Sequence, residues 1–187
     1  MADVSGKGVP AALFMMASKI LIQNYAMVKG NPKEALEAAN RQICQNNRED
    51  MFVTIWLGIL DVNTGLLTAS NAGHEYPVVR KPGEKFEFIK DKHGLAVGAY
   101  DTSKYKEYEV QLEKDSMVFI YTDGVVEATD ANEELFGNDR LLDALNRADD
   151  DTPEGALKSV SKAVDMFVKG APQFDDLTML CLKYNGK

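Results

Sequence analysis

The chain has 187 residues, 45% of them hydrophobic and 27% charged, the composition of a folded domain with a sizeable core and not of a disordered tail. Its 21 Lys and Arg against 29 Asp and Glu leave a net charge of −8, the wrong sign for gripping a phosphate backbone or an anionic membrane surface, so no nucleic acid is expected as a partner. Two cysteines, Cys44 and Cys181, do not make a disulfide framework and read as reduced thiols of a cytoplasmic protein.

The chain opens on Asp3-Val4-Ser5-Gly6-Lys7-Gly8, which reads as the end of a strand followed by a glycine turn. A domain seldom starts inside an element, so residues 1–187 are expected to be a single domain truncated at its N-terminus, a piece of a longer protein. Val9 to about Val28 then predicts a helix that is apolar on nearly all faces, with Pro10 in its first turn; such a helix is expected to be buried, with Met15, Met16 and Met27 as gap-filling core residues. Lys19, Gln23 and Asn24 interrupt it, so it falls short of the roughly 18 uninterrupted apolar residues of a membrane span, and no span is expected. A signal peptide is not expected either, because Asp3 and two glycines stand where its basic opening would be.

Gly30 ends that helix, and Asn31-Pro32-Lys33-Glu34 supplies an N-cap, a proline at the first helical position and a capping-box glutamate for a second helix running to about Asn46. From Phe52 the period changes to two, with Val53, Ile55, Leu57 and Ile59 on one face and Thr54, Trp56 and Gly58 on the other. Asp61 to Gly65 is turn chemistry leading to a second strand over Leu66 to Ser70, a β-hairpin. Further strands are predicted over Tyr76 to Arg80, Lys85 to Ile89, Lys106 to Leu112, Met117 to Tyr121 and Leu177 to Lys183. Between the last two lie a short helix, Asn138 to Arg147, and a longer one from the Thr152-Pro153-Glu154 cap to Gly170, with Asp149-Asp150-Asp151 before it as a solvated loop. Helices, a run of mostly antiparallel strands, helices and a last strand make an α+β pattern.

Three predicted strand ends carry acids: Asp3, Asp123 in Tyr121-Thr122-Asp123-Gly124, and Asp175-Asp176 in Phe174-Asp175-Asp176-Leu177-Thr178. One Asp before Gly is ordinary turn chemistry. Three at the ends of strands that can converge suit a hard divalent cation, which takes oxygen ligands, and adjacent carboxylates repel unless solvated or bridged by such an ion. Gly6-Lys7-Gly8 does not have the spacing of a nucleotide-binding P-loop, and neither cysteine sits in a glycine-rich cradle with Arg, which argues against a cysteine nucleophile.

The stretches Ala2-Asp3-Val4-Ser5-Gly6-Lys7-Gly8-Val9-Pro10-Ala11-Ala12, Ala69-Ser70-Asn71-Ala72-Gly73-His74 with Pro77, Tyr121-Thr122-Asp123-Gly124-Val125-Val126-Glu127-Ala128, Phe136-Gly137 and Phe174-Asp175-Asp176-Leu177-Thr178 together resemble the metal-dependent protein phosphatases (PPM family), in the bacterial subgroup named for stage II sporulation protein E (SpoIIE). The resemblance implies a four-layer α-β-β-α sandwich of two mostly antiparallel sheets, here without its opening strands. It implies two or more Mn²⁺ or Mg²⁺ ions held by the Asp3 carboxylate, the Val4 carbonyl, Asp123 and Asp175, with Asp176 beside it, and hydrolysis of phosphoserine or phosphothreonine on a bacterial regulatory protein, such as an anti-sigma-factor antagonist, by a metal-activated water. His74 is expected to fix a loop. The implied partners are a phosphorylated protein, an upstream sensor or coiled-coil region of the parent chain, and a second copy in a homodimer. The subgroup carries a Gly-Gly-Asp-like segment ahead of the Asp3 stretch; its absence leaves a non-catalytic protein-binding module as the alternative.

Overall fold

The structure is a computed structural model describing residues 1–47, 49–171 and 176–186. The chain forms two compact units, one from Met1–His74 and Asp91–Gln111, the other from Glu75–Lys90 and Leu112–Lys187.

The first unit carries a four-stranded antiparallel sheet in the order β1 (Ala2–Val4), β2 (Val53–Leu60), β3 (Leu66–Ala72), β6 (Glu107–Gln111). The predicted hairpin is β2 and β3, in a register that sets Leu57 opposite Ser70 and Ile55 opposite Ala72. Both faces of β2 are in use: Val53 and Ile55 enter the core, while Trp56 on the other face lies over Gly58, where a Cβ would run into its ring, and donates through Nε1 to the Tyr108 hydroxyl at 2.7 Å. Helix α2 (Pro32–Asn46) starts as expected, with the Asn31 side chain accepting from the Glu34 N–H at 2.9 Å. It buries Ala35, Leu36, Ala39 and Ile43, a stripe at helical spacing, in a cluster with Val53, Ile55 and Ala72. Asn40, fully buried, is satisfied by the Tyr100 carbonyl and the Gly98 N–H, both at 2.8 Å, and so pins the 98–100 turn to the helix.

Helix α1 (Gly8–Lys29) ends at left-handed Gly30 as expected, but its predicted burial does not hold. Only Ala11, Ser18 and Ile22 are buried; Val9, Leu13, Met16, Ile20 and Met27 are each more than half exposed, so the methionines fill no core gap. A helix rich in apolar residues all round gives no periodicity from which to read its contact face, and here that face is the narrow one that meets α2. By length and composition alone it is apolar enough to cross a membrane, an 18-residue window averaging a hydropathy of 1.3 despite the polar interruptions. What the structure gives it is a helical partner: Ile22 joins the α2 cluster, and the Tyr25 hydroxyl donates to Gln42 at 2.7 Å.

The second unit carries a sheet in the order β5 (Glu87–Phe88), β4 (Val78–Arg80), β7 (Met117–Tyr121), β8 (Met179–Lys183), again all antiparallel. Every residue of β7 is buried, which is what an unbroken apolar run between two neighbouring strands should do. Helices α3 (Gly137–Asn146) and α4 (Pro153–Val168) cover the cluster built on Phe119, Tyr121, Phe136, Leu141, Val160 and Val164. The Thr152 hydroxyl caps α4 by accepting from the Gly155 N–H at 3.0 Å, and the helix stops at Lys169, already left-handed, one residue before the glycine expected to end it. The acidic loop before α4 is more than solvated: Asp151 pairs with Arg80 at 2.7 Å, and the Asp150 carboxylate accepts from the Thr152 N–H.

Cys181 lies in β8 facing the cluster, and burial pushes its thiol up to about 11. A shift of about two units leaves on the order of 100-fold less thiolate near neutral pH. Native protein at pH 8 should therefore label at Cys181 with a disulfide reagent far more slowly than the unfolded chain; equal rates would remove Cys181 from the core.

Candidate active site

In the second unit the site is made where β7 stops. After Tyr121 the backbone enters a 3-10 turn over Asp123–Val125, closed by the Val125 N–H on the Thr122 carbonyl at 3.1 Å and the Glu127 N–H on the Asp123 carbonyl at 2.8 Å. Thr122, 3% exposed, holds the neighbouring chain on both sides of its own backbone. Its N–H donates to the Thr178 carbonyl at 3.0 Å, its hydroxyl accepts from the Thr178 N–H at 3.1 Å, and that hydroxyl donates to the Asp176 carbonyl at 3.0 Å. Two of the predicted acidic stretches, those of Asp123 and Asp176, are thereby fixed side by side. Asp176 itself is exposed, and Asp175 lies outside the described residues.

The Asp123 carboxylate has one oxygen, Oδ1, buried with no hydrogen-bond partner among the described residues. A buried carboxylate oxygen without a donor costs free energy that a cation at that oxygen would offset. In the same unit the Tyr121 hydroxyl lies 3.2 Å from Asn138 Oδ1 and 3.4 Å from Glu75 Oε2. Burial first, and then the Glu75 carboxylate, hold that hydroxyl well above the usual tyrosine range, so it serves as a donor and not as a base. Thr122, Tyr121, Glu75 and Asn138 were not singled out from the sequence. Tyr121 and Thr122 lay within the Asp123 stretch, while Glu75 and Asn138 directly followed the His74 and Phe136-Gly137 stretches.

In the first unit Asp3 is the middle residue of β1, half-buried, opposite Thr54, and Val4 is opposite Val53. The Thr54 hydroxyl is 2.9 Å from His74 Nδ1 and 3.5 Å from the Asp3 carbonyl. His74 is buried; its N–H donates to Asn71 Oδ1 at 2.8 Å, and Asn71 Nδ2 donates back to its carbonyl at 3.0 Å. That is the loop-fixing arrangement expected of it. Among the described residues no three His, Cys, Asp or Glu side chains gather as a metal cage. What fits a divalent cation is the chemistry of the donors, carboxylate and carbonyl oxygens without nitrogen or sulfur, together with the orphaned Asp123 oxygen.

Residues 1–185 match the family model of stage II sporulation protein E (SpoIIE). The chain belongs to the SpoIIE family. It is 30% identical over 131 residues to the phosphoserine phosphatase RsbU of Bacillus subtilis, covering 70% of this chain and 39% of RsbU. It is 29% identical over 210 residues to protein IcfG of Synechocystis, covering 98% of this chain and 33% of IcfG. The chain thus spans well under half the length of these curated relatives. Among solved structures it is similar to the SiaA-PP2C domain of Pseudomonas aeruginosa, with TM-score 0.79 and 25% identity over 97% of this chain and 73% of that one. It is also similar to RsbX in complex with magnesium, with TM-score 0.67 and 20% identity over 97% and 78%. SpoIIE-family membership and the α+β fold of PPM phosphatase domains, with two antiparallel sheets and flanking helices, agree with the resemblance read from the motifs.

Proposed function

We propose that the chain is the catalytic part of a metal-dependent protein serine/threonine phosphatase, and the observation that carries this is the buried Asp123 Oδ1 at the end of β7, which has no hydrogen-bond partner among the described residues. Asp3 through its carboxylate, Val4 through its carbonyl, Asp123 and Asp175, with Asp176 adjacent, would hold two or more Mn²⁺ or Mg²⁺ ions. Such ions supply a water of lowered pKa and neutralise charge building on the phosphoryl oxygens. The chain's own part is positional. Thr122 locks the Asp123 and Asp176 stretches in register, and His74 with Thr54 fixes the loop beside β1. Neither cysteine is needed as a nucleophile, and burial raises both thiols.

The substrate on this reading is a phosphoserine or phosphothreonine of a bacterial regulatory protein, such as an anti-sigma-factor antagonist, in the cytoplasm. RsbU, named a phosphoserine phosphatase, supports the reaction class, and RsbX, solved with magnesium, supports the ion. An upstream sensor or coiled-coil region would act through α1 and α2, and the solvent-facing apolar residues of α1 would meet a second copy in a homodimer. The full-length protein should release phosphate from a phosphoserine peptide only with Mn²⁺ or Mg²⁺, and EDTA should stop it. The second reading is a non-catalytic protein-binding module of the same fold. Folded protein that neither releases phosphate nor is stabilised by either ion would support that one.

A further inference from the structure

We propose that the groove between α3 and α4 docks an acidic, amphipathic helical segment of a partner protein. The groove has a volume of about 740 Å³ and a floor of Ala144, Ala163, Met166 and Phe167, with Met166 59% exposed. Its walls carry four cations, Arg140 and Arg147 on α3 and Lys158 and Lys162 on α4, against three carboxylates, Asp143, Asp149 and Asp150. The balance is 4 − 3 = +1 in a chain of net charge −8, which leaves −9 for all the rest.

The carboxylates are partly committed: Asp143 pairs with Arg147 at 3.2 Å, and Asp150 accepts from Thr152. Arg140 is partnered as well, pairing with Glu134 at 3.4 Å with its guanidinium 4.6 Å over the Phe167 ring while it donates to the Leu135 and Phe136 carbonyls at 3.0 Å, so the cations left to meet a partner are Lys158 and Lys162. Lys158 and Lys162 have no ion pair within 4.0 Å among the described residues; they stand four apart on one face of α4, while Arg140 and Arg147 stand seven apart on α3. Cations at helical repeats along both walls of an apolar trough match a helix with an apolar stripe flanked by Glu or Asp. They would repel a basic segment.

The test uses the full-length protein and a fluorescein-labelled helical peptide of about 18 residues with one Leu/Phe stripe flanked by Glu. Controls are a scramble of the same composition and a peptide with Lys in place of Glu. Saturable binding of the acidic helix, weakening with salt and at least 10-fold weaker in Lys158→Glu/Lys162→Glu protein of unchanged circular dichroism, is the expected result. Binding of scramble or Lys peptide as tight as the acidic helix, binding indifferent to the double reversal, or no binding would overturn it. Met166→Ser, which removes floor and leaves the charge alone, should weaken binding without changing its salt dependence.

Discussion

Asp123→Asn should abolish divalent-ion-dependent phosphate release, by roughly 10³-fold or more in kcat/KM, while leaving the metal-free protein as stable as before or slightly more so. The magnitude is of the order seen when a group acting electrostatically on the transition state is removed, and a metal ligand does at least that much. The stability half of the expectation follows from burial. Asn keeps the shape of the side chain but removes charge from a carboxylate whose Oδ1 has no donor among the described residues, so no stabilising partner is lost. Thermal melts separate the two effects. Wild-type protein should gain about 2.7 kcal/mol when the ion is at a hundred times its Kd, since only the native state binds it, and the variant should gain little. Unchanged activity would remove Asp123 from the site; lost activity with intact metal stabilisation would leave it catalytic but not a ligand.

Phe119→Ala should be the most damaging single truncation in the second unit, costing about 3–5 kcal/mol. Phe119 is fully buried in β7, cross-paired with Val78 on one side and Cys181 on the other, and its ring lies 6.0 Å from that of Tyr121. Loss of the ring leaves a cavity under the strand that delivers Asp123, so both the melting temperature and metal binding should fall, the first by roughly 10 °C for a chain of this size. The contrast is Leu13→Ala on α1, an equally apolar residue that is 62% exposed and should cost less than about 0.5 kcal/mol. Comparable losses at the two positions would mean that α1 is covered in solution.

The difference between Phe119 and Leu13 also marks where the sequence was readable. β7 is an apolar run ended by Asp-Gly, and the caps of α2 and α4 are local chemistry, so these elements and the place of Asp123 follow from short stretches of chain. The contact face of α1 does not, because its apolar residues run all round the helix and the choice is made by α2. The strands after His74 shrank for a local reason: Pro77 has no N–H to give a ladder, so β4 starts at Val78 and the Pro77 carbonyl alone receives the Ile89 N–H. The Thr122 clamp, the Tyr121–Glu75 contact and the Arg80–Asp151 pair join residues 46 to 71 positions apart. No periodicity or spacing signals such bonds. Asp175 is outside the described residues, and its part in the site rests on the motif.

The separation of Thr122 from Thr178 also matters while the protein is being made. The two are 56 residues apart, so at ordinary elongation rates β7 leaves the ribosome roughly 3 to 11 seconds before the strand that pairs with its far edge. For that interval a fully apolar strand has an open edge, the kind of surface chaperones hold and aggregates recruit. A chain stalled short of Asp176 would have every residue of the Asp123 turn and none of the Thr122 bonds that clamp it to the 176–178 stretch, so the turn takes its final shape only once that stretch has been made.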